Sequence, residues 1–114
     1  MPAIGRLSHY EAKHGQEYWK LYLNKVATDA LGGARFVRVL KTDRHIILEP
    51  VAENAEGVVH KTATNINKGL AQISLNGMVA SGFIPKRWFG KKYKVKRQTA
   101  KGLLFVCIEE ELTE

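Results

Sequence analysis

The order of strand-like segments, turn residues and apolar runs in this chain occurs twice. In the first half, alternating apolar and basic residues at 35–40 are followed by a polar turn and an apolar run at 45–51. In the second half, an alternating segment at 92–96 is followed by a polar turn and an apolar run at 103–108. Short segments of this kind, bounded by turn residues, predict β-strands. We therefore expect a chain built mainly from strands.

The two halves align when the second is shifted by 57 residues. This offset places Phe36 on Tyr93 and Thr42 on Thr99. Few identities support the alignment, so chance similarity is the alternative. The expected fold class is β-rich α+β, with two ββαββ-like units packed as an intramolecular pseudo-dimer.

A chain of 114 residues corresponds to one compact domain. Within it, the expected parts are a first unit at 1–53, a connector at 54–69 and a second unit at 70–110. The connector is rich in Ala, Gly, Asn and Thr, which is typical of irregular or extended linking structure.

Helix and turn signals occur in both units. Asn24 is suited to cap a helix at 25–31, and Pro85 is suited to the first turn of a short helix at 85–89. Asn76 followed by Gly77 predicts a hairpin turn, because Asn-Gly favours two-residue turns with positive φ. The strands joined by that turn would be 70–75 and 79–84, and a second hairpin would join 4–13 to 17–23.

Acidic residues are absent from nearly half of the chain. Ten Lys/Arg and no Asp or Glu lie between Gly57 and Ile108, and the last four acidic residues crowd the C-terminal end. A surface with one sign of charge repels itself, and a polyanion such as nucleic acid relieves that repulsion. The net charge is +7. A solvated basic surface and an acidic protein partner are the alternatives.

The densest basic stretch lies at 86–97, where seven positive side chains are interspersed with aromatic and apolar ones. This pattern predicts a folded strand with lysines on one face rather than a disordered tail. Lysine is a point charge suited to the phosphate backbone, so the stretch favours positioning over detailed base reading. The predicted phosphate contacts are Lys86, Arg87, Lys91, Lys92, Lys94, Lys96, Arg97 and Lys101. For any one of them, a solvated side chain is the alternative.

A second candidate surface lies near the N-terminus. Tyr18, Lys20 and Tyr22 alternate with apolar residues, which places them on one face of a strand. With Arg6 and Lys13, that face is a further candidate for nucleic acid. A protein interface is the alternative, because Tyr and Trp are enriched at such interfaces.

Motifs for catalysis or tightly held cofactors are absent from the sequence. No phosphate-binding glycine loop, CxxC pair or HExxH motif occurs, and no pair of acidic residues suits general acid–base catalysis. His9, Glu11 and His14 supply too few ligands for a metal site. We therefore expect no enzyme activity, no cofactor and no bound metal.

The lone cysteine indicates a reducing compartment. Cys107 lies in an apolar run, which predicts a small buried side chain and leaves no partner for an internal disulfide. No apolar signal segment begins the sequence, and no apolar run has the roughly 20 residues that cross a bilayer. We expect a cytoplasmic, nucleoid-associated protein with no membrane partner.

The stretch at 82–90 resembles the AbrB-type swapped-hairpin family, since an apolar-Pro-Lys step leads into a one-turn helix, a glycine and a Val-containing strand. Two such units in one chain, at 17–51 and 70–108, are similar in plan to MraZ-type tandem proteins. The resemblance implies DNA binding by interleaved units through basic residues on the sheet and hairpin loops. The MraZ-type Asp-x-x-x-Arg signature is not reproduced, because Gly33 lies four positions after Asp29.

The leading hypothesis is a small DNA-binding protein, a transcription regulator or mobile-element accessory protein, that holds duplex DNA on its lysine-rich strand. One alternative is a phage- or plasmid-encoded inhibitor that docks on a nucleic-acid enzyme. Another is a single-stranded DNA or RNA binder that stacks bases on Trp88 and Tyr93, although an aromatic residue in a one-turn helix such as Trp88 is more often part of the core. A monomer with an internal pseudo-dimer and a homodimer both fit the sequence.

Overall fold

A computed structural model describes residues 2–32, 34–55, 60–65, 70–98 and 102–112. These residues form nine strands, two short α-helices and one 3₁₀ turn. In chain order the elements are β1 (Ile4–Glu11), β2 (Glu17–Leu23), α1 (Lys25–Ala30), β3 (Phe36–Lys41), β4 (His45–Val51), β5 (His60–Lys61), β6 (Ala63–Asn65), β7 (Leu70–Ser74), α2 (Asn76–Ala80), the 3₁₀ turn (Lys86–Trp88), β8 (Lys91–Gln98) and β9 (Leu103–Leu112). The prediction of a β-rich fold with few helices is confirmed.

One curled antiparallel sheet contains all nine of these strands, in the order β5-β3-β4-β9-β8-β1-β2-β7-β6. The strands at its two ends, β5 and β6, are separated in the chain only by Thr62. The sheet therefore curls until its two ends meet at this residue. The backbone N–H of Thr62 donates to the carbonyl oxygen of Arg35 at 2.7 Å, which ties the joint to the residue before β3. Both end strands belong to the segment expected to be a connector.

The hydrophobic core fills the inside of the curl. Successive side chains of a strand point to opposite faces, so each strand contributes every second residue to the core. On β2, for example, Leu21 and Leu23 are buried, whereas Tyr22 between them is half-buried on the outer face. Other fully buried core residues are Leu7, Ile46, Leu48, Ile73, Leu104 and Val106.

Helix α1 begins where the sequence predicts. The Asn24 side-chain oxygen accepts the N–H of Ala27 at 3.0 Å, which is the expected N-cap bond. The same oxygen accepts the N–H of Ile4 at 3.0 Å, so the cap also fixes the first residue of β1. The helix ends at Ala30 with Leu31 as its C-cap, and Gly32 adopts a positive φ of 65°.

The predicted hairpin at Asn76-Gly77 is wrong, because these residues begin helix α2. A type I′ turn needs positive φ at both positions, and neither residue has it. The Asn76 side-chain oxygen instead accepts the N–H of Trp19 at 2.7 Å. Leu75 and Val79, four residues apart, are both buried, so a helical turn places two apolar side chains in the core.

The turn after Pro85 is shorter than predicted. The 3₁₀ turn spans Lys86–Trp88, and Pro85 precedes it in an extended conformation. Gly90 closes the turn with a φ of 87°, and its N–H donates to the carbonyl of Leu7 at 2.7 Å. This bond brings the chain into register with β1 immediately before β8 begins.

Candidate nucleic-acid interface

The two basic surfaces predicted from the sequence are one surface in the structure. The lysine-rich strand β8 pairs with β1, and β1 pairs with β2. On the outer side of the sheet, Arg6 is the cross-strand partner of both Lys92 and Tyr22. Cβ atoms of directly opposite residues lie roughly 5 Å apart. Lys92, Arg6 and Tyr22 therefore form a continuous row across three strands.

We define the basic face as the outer positions of β8, β1, β2 and β7. In the described part of these strands, no outer position holds an acidic residue. Its cations are Arg6, Lys20, Lys92, Lys94 and Lys96. Its neutral residues are Ile4, Ser8, Tyr10, Tyr18, Tyr22, Leu70, Gln72, Ser74 and Gln98. The face thus combines positive charge with three tyrosine rings.

Tyrosine rings lie against the cations of the basic face. The guanidinium carbon of Arg6 is 5.4 Å from the ring centroid of Tyr22. The Lys20 ammonium is 5.5 Å from the ring centroid of Tyr10 and 5.6 Å from that of Tyr18. The Tyr10 hydroxyl beside it raises the pKa of Lys20, so this lysine stays charged at neutral pH. These contacts hold the cations over aromatic surface and keep them at the surface of the sheet.

Glutamates of β9 border the basic face, and one of them, Glu110, pairs with a lysine of that face. A Glu110 carboxylate oxygen lies 2.8 Å from the Lys96 ammonium, and a Glu111 oxygen lies 3.6 Å from the Lys91 ammonium. The register of β8 and β9 shifts between Tyr93 and Lys94. The sequence separates the basic stretch from the acidic end, but the fold places them side by side.

The residues of the 3₁₀ turn lie outside the basic face, whereas the sequence predicts that they join it. Lys86 and Arg87 are exposed but lie outside the basic face, and the Lys86 ammonium is 5.7 Å from the Trp19 ring centroid. Trp88 is only 7% exposed. Its carbonyl accepts the Tyr93 hydroxyl. Tyr93 is only 2% exposed. Both predicted stacking residues, Trp88 and Tyr93, therefore belong to the core, and their rings are covered rather than open to a base.

The remaining predicted contacts are spread around the basic face. Lys94 is exposed within it, and Lys13 is exposed in the turn between β1 and β2. Arg97 is exposed at the end of β8 and lines a cleft of about 280 Å³ with Phe105. Lys101 lies outside the described residues.

A groove of about 350 Å³ opens on the basic face. Ile4 and Leu70 supply apolar walls, and Arg6, Tyr22 and Lys92 supply two charges and a ring. Asn24 also borders the groove. Its amide N–H donates to the Pro2 carbonyl at 2.8 Å while its oxygen caps α1, so it serves as a structural wall.

His9, one of the candidate metal ligands, is engaged by the side chains of Trp19 and Glu17. His9 stacks on Trp19 with ring centroids 3.9 Å apart, and its Nε2 lies 3.2 Å from a Glu17 oxygen. No three His, Cys, Asp or Glu side chains cluster to hold a metal in the described ranges. The chemistry that the basic face offers is charge attraction and stacking.

No known protein-family model, curated protein or solved structure matches this chain significantly. Among the residues that the structure describes, no helix is both long enough and apolar enough to cross a bilayer. The functional argument therefore begins from the basic face itself.

Proposed function

We propose that this protein binds nucleic acid with its basic face, mainly through the phosphate backbone. The observation that carries the proposal is the row of Lys92, Arg6 and Tyr22 on a four-strand surface without acidic outer residues in the described strands. Lysines on β8 recur at every second position, which spaces their Cα atoms about 6.6 Å apart. Such a series of like charges is stabilised by a polyanion that runs along it.

Duplex DNA is the ligand that we propose first, in the role of a regulator or mobile-element accessory protein. Adjacent strands lie about 4.8 Å apart, so the four-strand face is about 14 Å wide. This exceeds the roughly 12 Å width of the major groove. The face would therefore lie across phosphate backbones rather than enter a groove. Its four lysines and one arginine agree with backbone positioning.

We also propose that the fold is a fused pair of interleaved ββαββ-like units, as the AbrB-type resemblance implies. Three strand pairings, β1 with β8, β2 with β7 and β4 with β9, join the two halves of the chain. Both helices start at a Leu-Asn step: Asn24 caps α1, and Asn76 is the first residue of α2. Each asparagine side chain accepts a backbone N–H from a neighbouring strand. Separately expressed halves test this proposal. Each is expected to be unfolded alone and to fold when mixed, and a half that folds as a monomer would overturn it.

A salt titration tests the nucleic-acid proposal. Binding to a labelled 30-mer, as duplex and as single strand, is measured for the protein and for the Lys92→Ala/Lys94→Ala variant. Contact with about five phosphates gives a log–log salt slope of roughly −4 to −5, and the variant is expected to reduce its magnitude by about 2.

The matched control is Arg35→Ala/Arg44→Ala, which removes the same charge from exposed positions away from the basic face. This control is expected to change the affinity far less than the lysine variant does. Equal weakening by both variants would show that net charge, not the basic face, drives binding. Absence of binding at low salt would overturn the proposal and favour a protein partner.

Binding of single-stranded DNA or RNA is the second candidate function. It is favoured by Tyr22, which lies on the same face as the lysines rather than in the core. Aromatic rings beside a basic strand are the elements with which single strands are held by stacking. The ratio of duplex to single-strand affinity in the same titration distinguishes the two candidates.

A further inference from the structure

We infer that the groove beside Tyr22 is a pocket for one unstacked nucleotide of a bound strand; this inference rests on the proposed nucleic-acid function. The groove brings together three kinds of surface within one opening. Ile4 and Leu70 are apolar, Tyr22 presents an aromatic ring, and Arg6 and Lys92 are cationic. A nucleotide has the matching parts, namely a flat base that favours aromatic and apolar contact and an anionic phosphate.

The charges and the ring lie in the order that a nucleotide requires. Arg6 is the central residue of the row, with Tyr22 on one side and Lys92 on the other. A phosphate held between Arg6 and Lys92 therefore leaves its base on the side of Tyr22. The Arg6 guanidinium carbon, 5.4 Å from the Tyr22 ring centroid, borders the same space. Unpaired bases stack on both tyrosine rings and guanidinium planes.

The size of the groove limits its occupant. Its volume of about 350 Å³ is at the low end of the roughly 300–1,000 Å³ range of small-molecule pockets. One nucleotide is a ligand of that class, whereas a base inside an intact duplex remains stacked on its neighbours. The groove therefore favours a single strand, a strand end or a locally opened duplex.

Hydrogen bonds fix one wall of the groove, at Ile4 and Asn24, before any ligand arrives. Asn24 accepts N–H groups from Ile4 and Ala27, which joins the start of β1 to the start of α1. A fixed wall loses little conformational entropy when the pocket binds a ligand. The other two outer tyrosines lie outside the groove. Tyr10 and Tyr18 stack on each other with ring centroids 5.0 Å apart. Tyr18 is thus a matched control on the same strand and face.

The test compares Tyr22→Leu with Tyr18→Leu in binding to labelled single-stranded dT12 and to a 30-bp duplex. Tyr22→Leu is expected to weaken dT12 binding about tenfold and to leave duplex affinity within about twofold. Tyr18→Leu is expected to leave both within about twofold, because Tyr18 lies outside the groove. An abasic strand of the same length should bind the protein and the Tyr22→Leu variant equally.

Leu70→Phe is a second variant, which narrows the groove while retaining Tyr22, and it should also weaken dT12 binding. Circular dichroism and a thermal melt confirm that each variant is folded. Unchanged dT12 affinity in folded Tyr22→Leu and Leu70→Phe would overturn the nucleotide pocket. If Lys92→Ala/Lys94→Ala still weakens binding, the proposed function survives that result; if the protein binds neither probe at low salt, both proposals fail.

Discussion

The Glu110 carboxylate lies 2.8 Å from the ammonium group of Lys96, at the border of the basic face. The two residues are on neighbouring antiparallel strands, next to the register shift at Tyr93 and Lys94. An acidic residue from the end of the chain therefore competes with any polyanion for one of the lysines of β8. Its hydrogen bond with Lys96 lowers the pKa of Glu110 below its ordinary value of 4.5, so it is ionised at neutral pH.

The Glu110→Gln variant is expected to bind nucleic acid more tightly. Removal of the carboxylate frees Lys96 for one further phosphate, which should steepen the salt slope by about 0.9. Salt titrations of the variant and the protein measure this difference. Glu109→Gln is the control, because Glu109 pairs with Arg44 away from the basic face. An equal gain from both variants would attribute the effect to net charge.

Acidification should have the same effect as the Glu110→Gln substitution. The folded pKa of Glu110 lies below its ordinary value of 4.5. The ion pair with Lys96 is therefore intact at pH values above 4.5 and is lost only as the pH falls through the folded pKa. Binding measured over that acidic range should therefore strengthen more for the protein than for Glu110→Gln. Parallel curves for the two proteins would show that Glu110 is not the competing group.

Tyr93→Phe is expected to lower the free energy of unfolding by about 1–2 kcal/mol. The Tyr93 hydroxyl donates to the Trp88 carbonyl inside the core, and the substitution leaves that oxygen without its donor. Urea denaturation measures the loss. A change smaller than the error of the measurement would indicate that the carbonyl finds another donor.

Tyr93 also predicts a loss of stability in strong base. Burial raises its pKa from 10.0 to about 12, with a smaller contribution from Glu111. Between these two values the unfolded chain releases the phenolic proton while the folded chain retains it. Stability therefore falls as pH rises from about 10 to 12, and Tyr93→Phe should lose less stability over that interval. Thermal melts at stepped pH values compare the two proteins.

Thr62→Val is expected to raise the free energy of unfolding by about 1 kcal/mol. Thr62 is 8% exposed, and its hydroxyl has no hydrogen-bond partner among the residues that the structure describes. Valine keeps the shape and removes the buried polar group. Thr62→Ser, which keeps the hydroxyl and loses the methyl group, is the control and should destabilise the fold. Destabilisation by valine would reveal a partner for the hydroxyl.

Cys107 is expected to react with an aromatic disulfide reagent more than about tenfold more slowly in the native protein than in urea. The side chain is 2% exposed, and burial is the main cause that raises its pKa above 9.0. Both effects reduce the amount of accessible thiolate. Rapid stoichiometric labelling of the folded protein would contradict this placement.

The sequence predicts local structure well where the local signal also determines the contacts. Asn24 caps α1 as expected, because the bond from Ala27 lies within one turn of the chain. Asn76 carries a similar local signal, but its side chain bonds to Trp19 on another strand and a helix forms instead of a hairpin. No window of sequence around Asn76 contains that information.

The same limit applies to the candidate interface. Alternation along β8 and β2 correctly separates the outer lysines and tyrosines from the core side chains. The sequence predicts the hairpin of β1 and β2 but does not show that β1 also pairs with β8, and it therefore gives two surfaces where the structure has one. The neutralisation of Lys96 by Glu110 is hidden for the same reason, because it depends on the register of β8 and β9.

The pairing of strands from opposite halves of the chain has a consequence for its synthesis. Strands β1 and β4 find their partners only after β8 and β9 have been synthesised. Until then, apolar side chains such as Ile46 and Leu48 lack the strand that covers them. Sheets built from such distant segments form slowly, and their incomplete forms are prone to aggregate. The nascent first half is thus the stage at which the apolar surface of this sheet is most open to aggregation.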